Sequence, residues 1–396
     1  IFSMIQVFFV MTPDDCIYFA NSFPLLNPAF FFHWGNKNNN PVHDWKELIQ
    51  GENQILSIPE AHQLVGYYTC AQIEKDSKGT VSNGTTGTLM VARSYQIHAI
   101  RNIAKRVAIQ RWETGYQLGG YVWGTTGCGK TLTSYKAGQL IIDENYADKV
   151  IFVVDRVQLS EQSFKEYKNF ARDGEPIVES KSTYKLFGLL CDNNSRWLIT
   201  SIQKLARINE DASSYIDKTD IDKINKKRIV FIIDEAHRSQ FGEMHKRVKD
   251  TFTNALFIGF TGTPIFSEND KENGQTSADV FGDVLSTYSI ASGIRDKNVL
   301  GFAPKMIKTF DDNDIRDAVA CDKAHADSVY EARQDPDKYK VYRHFHDLNM
   351  ITLEDMLPSG QYDCDVHRKA VVHDILTSWP VTSRGCTYAD IKFHAI

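Results

Sequence analysis

The chain has 396 residues, enough for two or three domains and at least one large buried core. With 42% hydrophobic and 24% charged residues it has the balance of a soluble globular protein, and a net charge of −5 excludes a polycation that coats nucleic acid. A local basic groove remains compatible with that charge.

The seven cysteines include no CxxC pair and read as reduced, cytoplasmic thiols. Ile1–Val10 is apolar but lacks a basic flank and a small-residue cleavage site, and it is too short to span a bilayer. It reads as a buried strand, and no membrane partner is expected. The starting Ile1 and the end at Ile396 suggest a piece of a longer protein.

Along the chain, strands are expected at Met4–Val10 and Cys16–Ala20, joined by a turn at Thr12–Asp15. Asn36–Asn40 reads as a loop, residues 44–75 as helical, and Lys78–Gly87 as a linker. A helix follows with Ile100, Ile103, Ala104 and Val107 on one face. Then come short apolar runs at Gly120–Trp123, Val150–Val154, Trp197–Ile199, Ile229–Ile233 and Ala255–Phe260, separated by helical stretches. Such runs are strands buried on both faces, which predicts a doubly wound parallel α/β domain over about residues 89–308. Residues 309–392 read as a helical or irregular connector.

Chemistry concentrates where those strands end. Gly124-Thr125-Thr126-Gly127-Cys128-Gly129-Lys130-Thr131 lies between a strand and a helix. Its glycines let backbone N–H groups wrap a phosphate, Lys130 suits the β- and γ-phosphates of ATP, and the Thr131 hydroxyl suits Mg²⁺. Cys128 is assigned no chemistry of its own. Asp234-Glu235-Ala236-His237 follows the strand Ile229–Ile233. Asp234 is placed to hold the Mg²⁺ shell, and Glu235 to orient or deprotonate the attacking water. Gly124, Asp155, Thr200, Asp234 and Thr261 each open a polar motif just after an apolar run. In an open parallel sheet, that places them on one ligand-binding edge.

With these motifs, the chain resembles the first RecA-like domain of superfamily 2 helicase and translocase motors. Within them it is similar to the restriction (R) subunit of type I restriction-modification enzymes. The likeness is carried by Val154–Leu159 with Gln162, Thr200–Leu205, Arg238–Gly242 after the acidic box, and Gly259–Phe266 around Thr261-Gly262-Thr263-Pro264. It implies that Gln96, in Ala92-Arg93-Ser94-Tyr95-Gln96, reads the adenine edge. It implies that Asp155-Arg156 and Gln203-Lys204 grip the DNA backbone, and that Thr261 and Thr263 couple nucleotide state to DNA contact. The implied partners are double-stranded DNA and the methyltransferase and specificity subunits of a restriction-modification complex.

The resemblance also divides the chain. Residues 1–88 would be the C-terminal part of a nuclease-like mixed α/β domain plus linker, and 89–308 the first RecA-like motor domain. Residues 309–396 would be a connector and the start of a second RecA-like domain, with its first strand at Asp390–Ile396. The nuclease carboxylates are expected upstream of Ile1, since neither Asp44-Trp45-Lys46 nor Asp76-Ser77-Lys78 lies in an apolar strand. His344, His346, His367, His373 and His394, with Cys364 and Cys386, have no metal-ligand spacing and read as scattered surface residues. Among Phe30, Phe31, Phe32 and Trp34, base stacking gives way to core packing as the simpler reading. The alternative function is a stand-alone superfamily 2 helicase or remodelling translocase on DNA or RNA. A non-enzymatic remnant conflicts with the intact Lys130, Thr131, Asp234 and Glu235.

Overall fold

A computed structural model describes residues 4–22, 26–51, 54–73, 87–112, 118–154, 157–172, 177–180, 182–211, 218–234, 241–266, 276–301, 308–349, 352–353, 356–358 and 360–382. The chain forms two compact units, Ile1–Gly301 and Phe302–Ile396.

The first unit opens with a three-stranded antiparallel sheet of β1 (Val7–Met11), β2 (Cys16–Ala20) and β3 (Phe32–His33). Thr12 N–H donates to the Asp15 carbonyl at 2.8 Å, closing the expected turn between β1 and β2. The strand expected to be buried at the start is instead a half-exposed edge, with Val10 and Met11 open to solvent. Only β2 sends residues deep into the core, Cys16 and Tyr18 above all.

The helical reading of residues 44–75 needs correction. Two short helices, α1 (Trp45–Ile49) and α2 (Glu60–Gly66), are followed by a strand, β4 (Thr69–Gln72), paired antiparallel with β5 (Thr88–Val91). Thr69-Cys70-Ala71-Gln72 is too short to show a period, and its pairing partner lies beyond the linker. Asp44 caps α1 by accepting from Lys46 N–H at 2.9 Å, which gives it a structural job.

The main body alternates strand and helix. In order it runs α3 (Ser94–Ala108), β6 (Gly120–Gly124), α4 (Lys130–Asp143), β7 (Lys149–Val154), α5 (Val157–Phe170), β8 (Ile177–Glu179) and α6 (Thr183–Cys191). It continues with β9 (Trp197–Ser201), α7 (Ile202–Asp211), α8 (Lys218–Asn225), β10 (Ile229–Ile233), α9 (Phe241–Thr251) and β11 (Ala255–Thr261). It closes with α10 (Ser277–Phe281), β12 (Val284–Tyr288) and α11 (Ile290–Arg295). The strands form a seven-stranded parallel sheet in the order β12-β6-β11-β10-β7-β9-β8. This is the doubly wound parallel α/β class expected from the apolar runs.

Alternation along each strand divides the core between the two faces. Val150, Phe152 and Val154 of β7, with Val230 and Ile232 of β10, join one apolar cluster with α3 and α4. Ile151, Val153, Ile229, Phe231 and Ile233 join the other, with α6, α7 and α9. The first cluster also takes in Cys16, Tyr18, Trp34, Leu48 and Leu64, so the upstream residues share a core with the sheet. The junction expected near residue 88 thus falls inside one compact unit. Trp34 is buried as expected of that aromatic group, whereas Phe30 is exposed.

Close packing sets single residues. A Cβ at Gly138 would lie 1.9 Å from the Trp197 ring, so α4 can cross β9 only with glycine there. At the opposite end of the sheet from the Gly124–Thr131 loop, the Lys149 ammonium is buried against the carbonyls of Leu189, Asp192 and Ser195. Lys227 donates to those of Leu190 and Cys191, so two lysines cap the C-terminus of α6. Burial, then the Lys227 charge, pulls the Lys149 pKa down to about 8.

The second unit is helical: α12 (Asp312–Lys323), α13 (Val329–Gln334), α14 (Pro336–His346) and a longer helix at Asp365–Thr382. Ser328 caps α13, and Asp335 caps α14 ahead of Pro336. Small apolar clusters hold it, one around Ala320, Ala332 and Tyr342 and one around Ile315, Val319 and Leu353. No helix among the described residues is long and apolar enough to cross a membrane. His344 is exposed and His367 bonds Thr309 at 2.8 Å, and no metal-binding group is found in this unit among the described residues. Cys386, His394 and Asp390–Ile396 lie outside the described residues.

Candidate nucleotide site

The carboxyl ends of β6, β10 and β11 meet at one edge of the sheet. There the chain leaves β6 at Gly124 and enters α4 at Lys130. Gly127 and Gly129 hold φ of +79° and +78°, the left-handed region in which a side chain is strained. Thr125 N–H donates to Tyr288 O at 3.0 Å and Cys128 N–H to Thr125 O at 3.2 Å, which fixes both arms of the loop. Thr126, Gly127 and Gly129 face solvent, while Thr125 and Cys128 are buried. The result is a preformed concave run of backbone at a helix N-terminus, a shape suited to a phosphate chain.

Lys130 lies over this cradle, its Nζ 3.5 Å from Gly124 O. A Cβ on Gly262 would sit 3.6 Å from that Nζ, so the Thr261–Thr263 turn borders the lysine. Thr261 is buried at the end of β11, and its hydroxyl accepts from Thr263 N–H at 3.1 Å. Trp123 Nε1 donates to Gly262 O at 3.2 Å, tying that turn to β6. Asp234 follows β10, with its N–H on Val153 O at 3.0 Å. Burial pushes the Cys128 thiol up; the Lys130 charge opposes this and the Asp234 charge adds to it, so both groups act on the loop. Thr131, in the first turn of α4, is half-buried, and its carbonyl accepts from Ser134 Oγ at 3.0 Å.

Gln96 and Tyr95 reach this loop from the start of α3. Gln96 Nε2 donates to Cys128 O at 3.1 Å and Gly129 O at 3.3 Å, while its Oε1 accepts from Arg93 N–H at 2.8 Å. A Cβ on Gly129 would lie 2.5 Å from that Nε2, which explains the glycine. Here Gln96 binds the main chain of the Gly124–Thr131 loop. Tyr95, whose ring stacks on Tyr288 at 3.6 Å, donates its hydroxyl to Cys128 O at 2.9 Å. Tyr288 accepts from Asn298 at 2.6 Å and donates to Asp296 at 3.0 Å. Nothing in the local sequence marks this tyrosine pair, because its members lie far apart in the chain. Beside it opens a cavity of about 520 Å³ lined by Phe31, Phe32, Arg93, Tyr95 and Asn298 among others, with the Arg93 guanidinium 4.4 Å over the Phe32 ring.

The other candidate residues fall differently. Lys204 donates its ammonium to Ser180 O and Gln203 is half-buried, both at the start of α7. Glu235, Asp155 and Arg156, with Ala236–Gln240 and Asp76–Lys78, lie outside the described residues.

Residues 95–338 match the family described as SWI2/SNF2 ATPase. The chain belongs to that family. The loop at Gly124–Thr131 lies within the residues matched to that ATPase family. It is 38% identical over 310 residues to the Type I restriction enzyme SauCOLORF180P endonuclease subunit of Staphylococcus aureus (strain COL), covering 78% of this chain and 30% of that protein. It is 31% identical over 268 residues to the Type I restriction enzyme HindI endonuclease subunit of Haemophilus influenzae, covering 63% and 23% respectively. The chain thus spans less than a third of these relatives. A nuclease-deletion mutant of the Type ISP restriction-modification enzyme LlaGI, solved with a DNA substrate mimic, aligns at 16% identity and a TM-score of 0.39, covering 76% of this chain and 34% of that one.

Proposed function

We propose that this chain is the ATP-driven, double-stranded DNA translocase segment of a type I restriction endonuclease subunit, pulling DNA before cleavage. The observation that carries the reading is the junction of cradle, Lys130 and the Asp234 and Thr261 strand ends on one sheet edge. The likeness to type I endonuclease subunits supplies the restriction context.

The residues fit a nucleoside triphosphate with Mg²⁺: the left-handed glycines open the backbone toward solvent, and cationic, hydroxyl and carboxylate groups adjoin it. Bound there, Mg²⁺ would neutralise charge on the β- and γ-phosphates. Lys130 would pair with those phosphates, and Thr131 and Asp234 would hold the metal's shell. Glu235 would orient or deprotonate the attacking water. The cavity beside Tyr95 has room for a nucleobase and sugar. Gln96, next to Tyr95 at the start of α3, would read the adenine edge, exchanging part of its hold on the loop.

Asp155, Arg156, Gln203 and Lys204 would track the DNA backbone, with Lys204 releasing Ser180 O to reach a phosphate. Thr261 and Thr263, bordering Lys130, would carry nucleotide state to those contacts. Methyltransferase and specificity subunits would select the DNA site, and residues upstream of Ile1 would cut. The test is DNA-stimulated ATPase and translocation by the full-length protein, with and without its methyltransferase partner. Normal ATP turnover by Lys130→Ala would overturn the site. Intact ATPase without any DNA dependence would overturn the translocase.

A further inference from the structure

On the small antiparallel sheet, away from the phosphate loop, a second group of chemically capable side chains converges. Tyr18 pairs with Phe32 and Ile17 with His33 across β2 and β3. The ladder continues past β3: Val42 N–H donates to Trp34 O at 2.7 Å, and Gly35 bridges Pro41. That register sets His33 opposite His43, with Asp15 two residues before Ile17 on the same face. Alternation then sorts the side chains. Cys16, Trp34 and Val42 turn into the core, at 1%, 2% and 5% exposure, while Asp15, His33 and His43 turn outward.

The three outward groups touch. His33 Nε2 lies 3.0 Å and His43 Nδ1 3.3 Å from Asp15 Oδ1. One ligand atom from each residue falls within 4.8 Å of the other two. Bonds of about 2.0–2.2 Å at tetrahedral angles set neighbouring ligand atoms about 3.3–3.5 Å apart, close to the two carboxylate–imidazole distances. Two imidazoles and one carboxylate suit zinc and similar transition metals, whereas Mg²⁺ requires an all-oxygen octahedron. Solvent exposure of all three side chains leaves the remaining coordination position to water.

We propose that Asp15, His33 and His43 form a divalent transition-metal site, with Zn²⁺ as its natural class of ligand. Bound metal would join the β1–β2 turn, β3 and the segment leading into α1, three stretches of chain that the Asp15 contacts to His33 and His43 already bring together. His33 also lines the large cavity, so the site stands at its rim.

The test titrates the EDTA-stripped 396-residue chain with Zn²⁺ against a chromophoric zinc indicator, with Co²⁺ absorption reporting coordination. The wild type is expected to take up one more Zn²⁺ per chain than the His33→Ala/His43→Ala double variant. Asp15→Asn is expected to weaken that uptake by about tenfold or more, and millimolar Mg²⁺ should not displace the metal. Equal Zn²⁺ uptake by wild type and double variant, or displacement by Mg²⁺, would overturn the proposal. Far-ultraviolet melting in EDTA checks that the variants fold. Should the double variant fail to fold, His43→Gln on the connecting loop supplies the same comparison, and unchanged Zn²⁺ uptake there overturns the site equally.

Discussion

The large parallel sheet and the small antiparallel sheet solve the same problem in opposite ways. In the parallel sheet both faces are covered by helices, so β7, β10 and β11 are buried along their whole length and only the strand ends are free to carry chemistry. In the antiparallel sheet the face turned from the core is partly open, and polar groups gather at one end of it, where Asp15, His33 and His43 lie. The first arrangement puts a site where strands stop. The second puts it where strands lie side by side.

Substitutions can test how far that contrast holds. The largest effect is expected for Phe231→Ala in β10, whose ring is fully buried and stacks on Phe257 at 5.0 Å. It should cost about 3–5 kcal/mol in denaturant unfolding. Next, Lys130→Ala should cut ATPase turnover of the full-length protein by about 10²–10³-fold. Its melting temperature should stay near wild type, because the contribution lies at the strand-end edge rather than in the sheet. Gly138→Ala, forced against Trp197, should destabilise by about 1–3 kcal/mol.

Lys149 sharpens the comparison through pH. Its folded pKa of about 8 lies below the ordinary lysine value, so the folded state carries a charge penalty below pH 8. That penalty is relieved as pH rises from about 8 toward the ordinary value. The stability of wild type relative to Lys149→Met should therefore rise across that window, as read by paired thermal melts. A flat difference would place the ammonium in contact with water. At the small end, Val10→Ala on the exposed edge of β1 should shift stability by no more than about 0.5 kcal/mol.

The same contrast explains what could be read from residues alone. The doubly wound sheet was legible because strands covered on both sides become unbroken apolar runs. Edge strands were not: Ile177-Val178-Glu179 is short, and Val284-Leu285-Ser286-Thr287-Tyr288 mixes polar with apolar residues because one of its flanks is open. Residues 69–72 passed for helix since their strand identity depends on Thr88–Val91, across the linker. At the site, the loop and the acidic box announce themselves by local spacing. The stacking of Tyr95 on Tyr288 and the set of Asp15 with His33 and His43 arise from register between distant segments, which no local pattern encodes.

Gln96 shows what such a contact demands of its residue. Each of its hydrogen bonds goes to main chain, two as donor and one as acceptor. It therefore answers to the shape of the loop and not to the identity of the side chains there. A glutamate would turn an oxygen toward two carbonyl oxygens, and an asparagine would fall a methylene short. In effect the amide is a gauge set between α3 and α4. While the Cys128 and Gly129 carbonyls are in place it fits, and when the loop changes shape, the start of α3 must move with it.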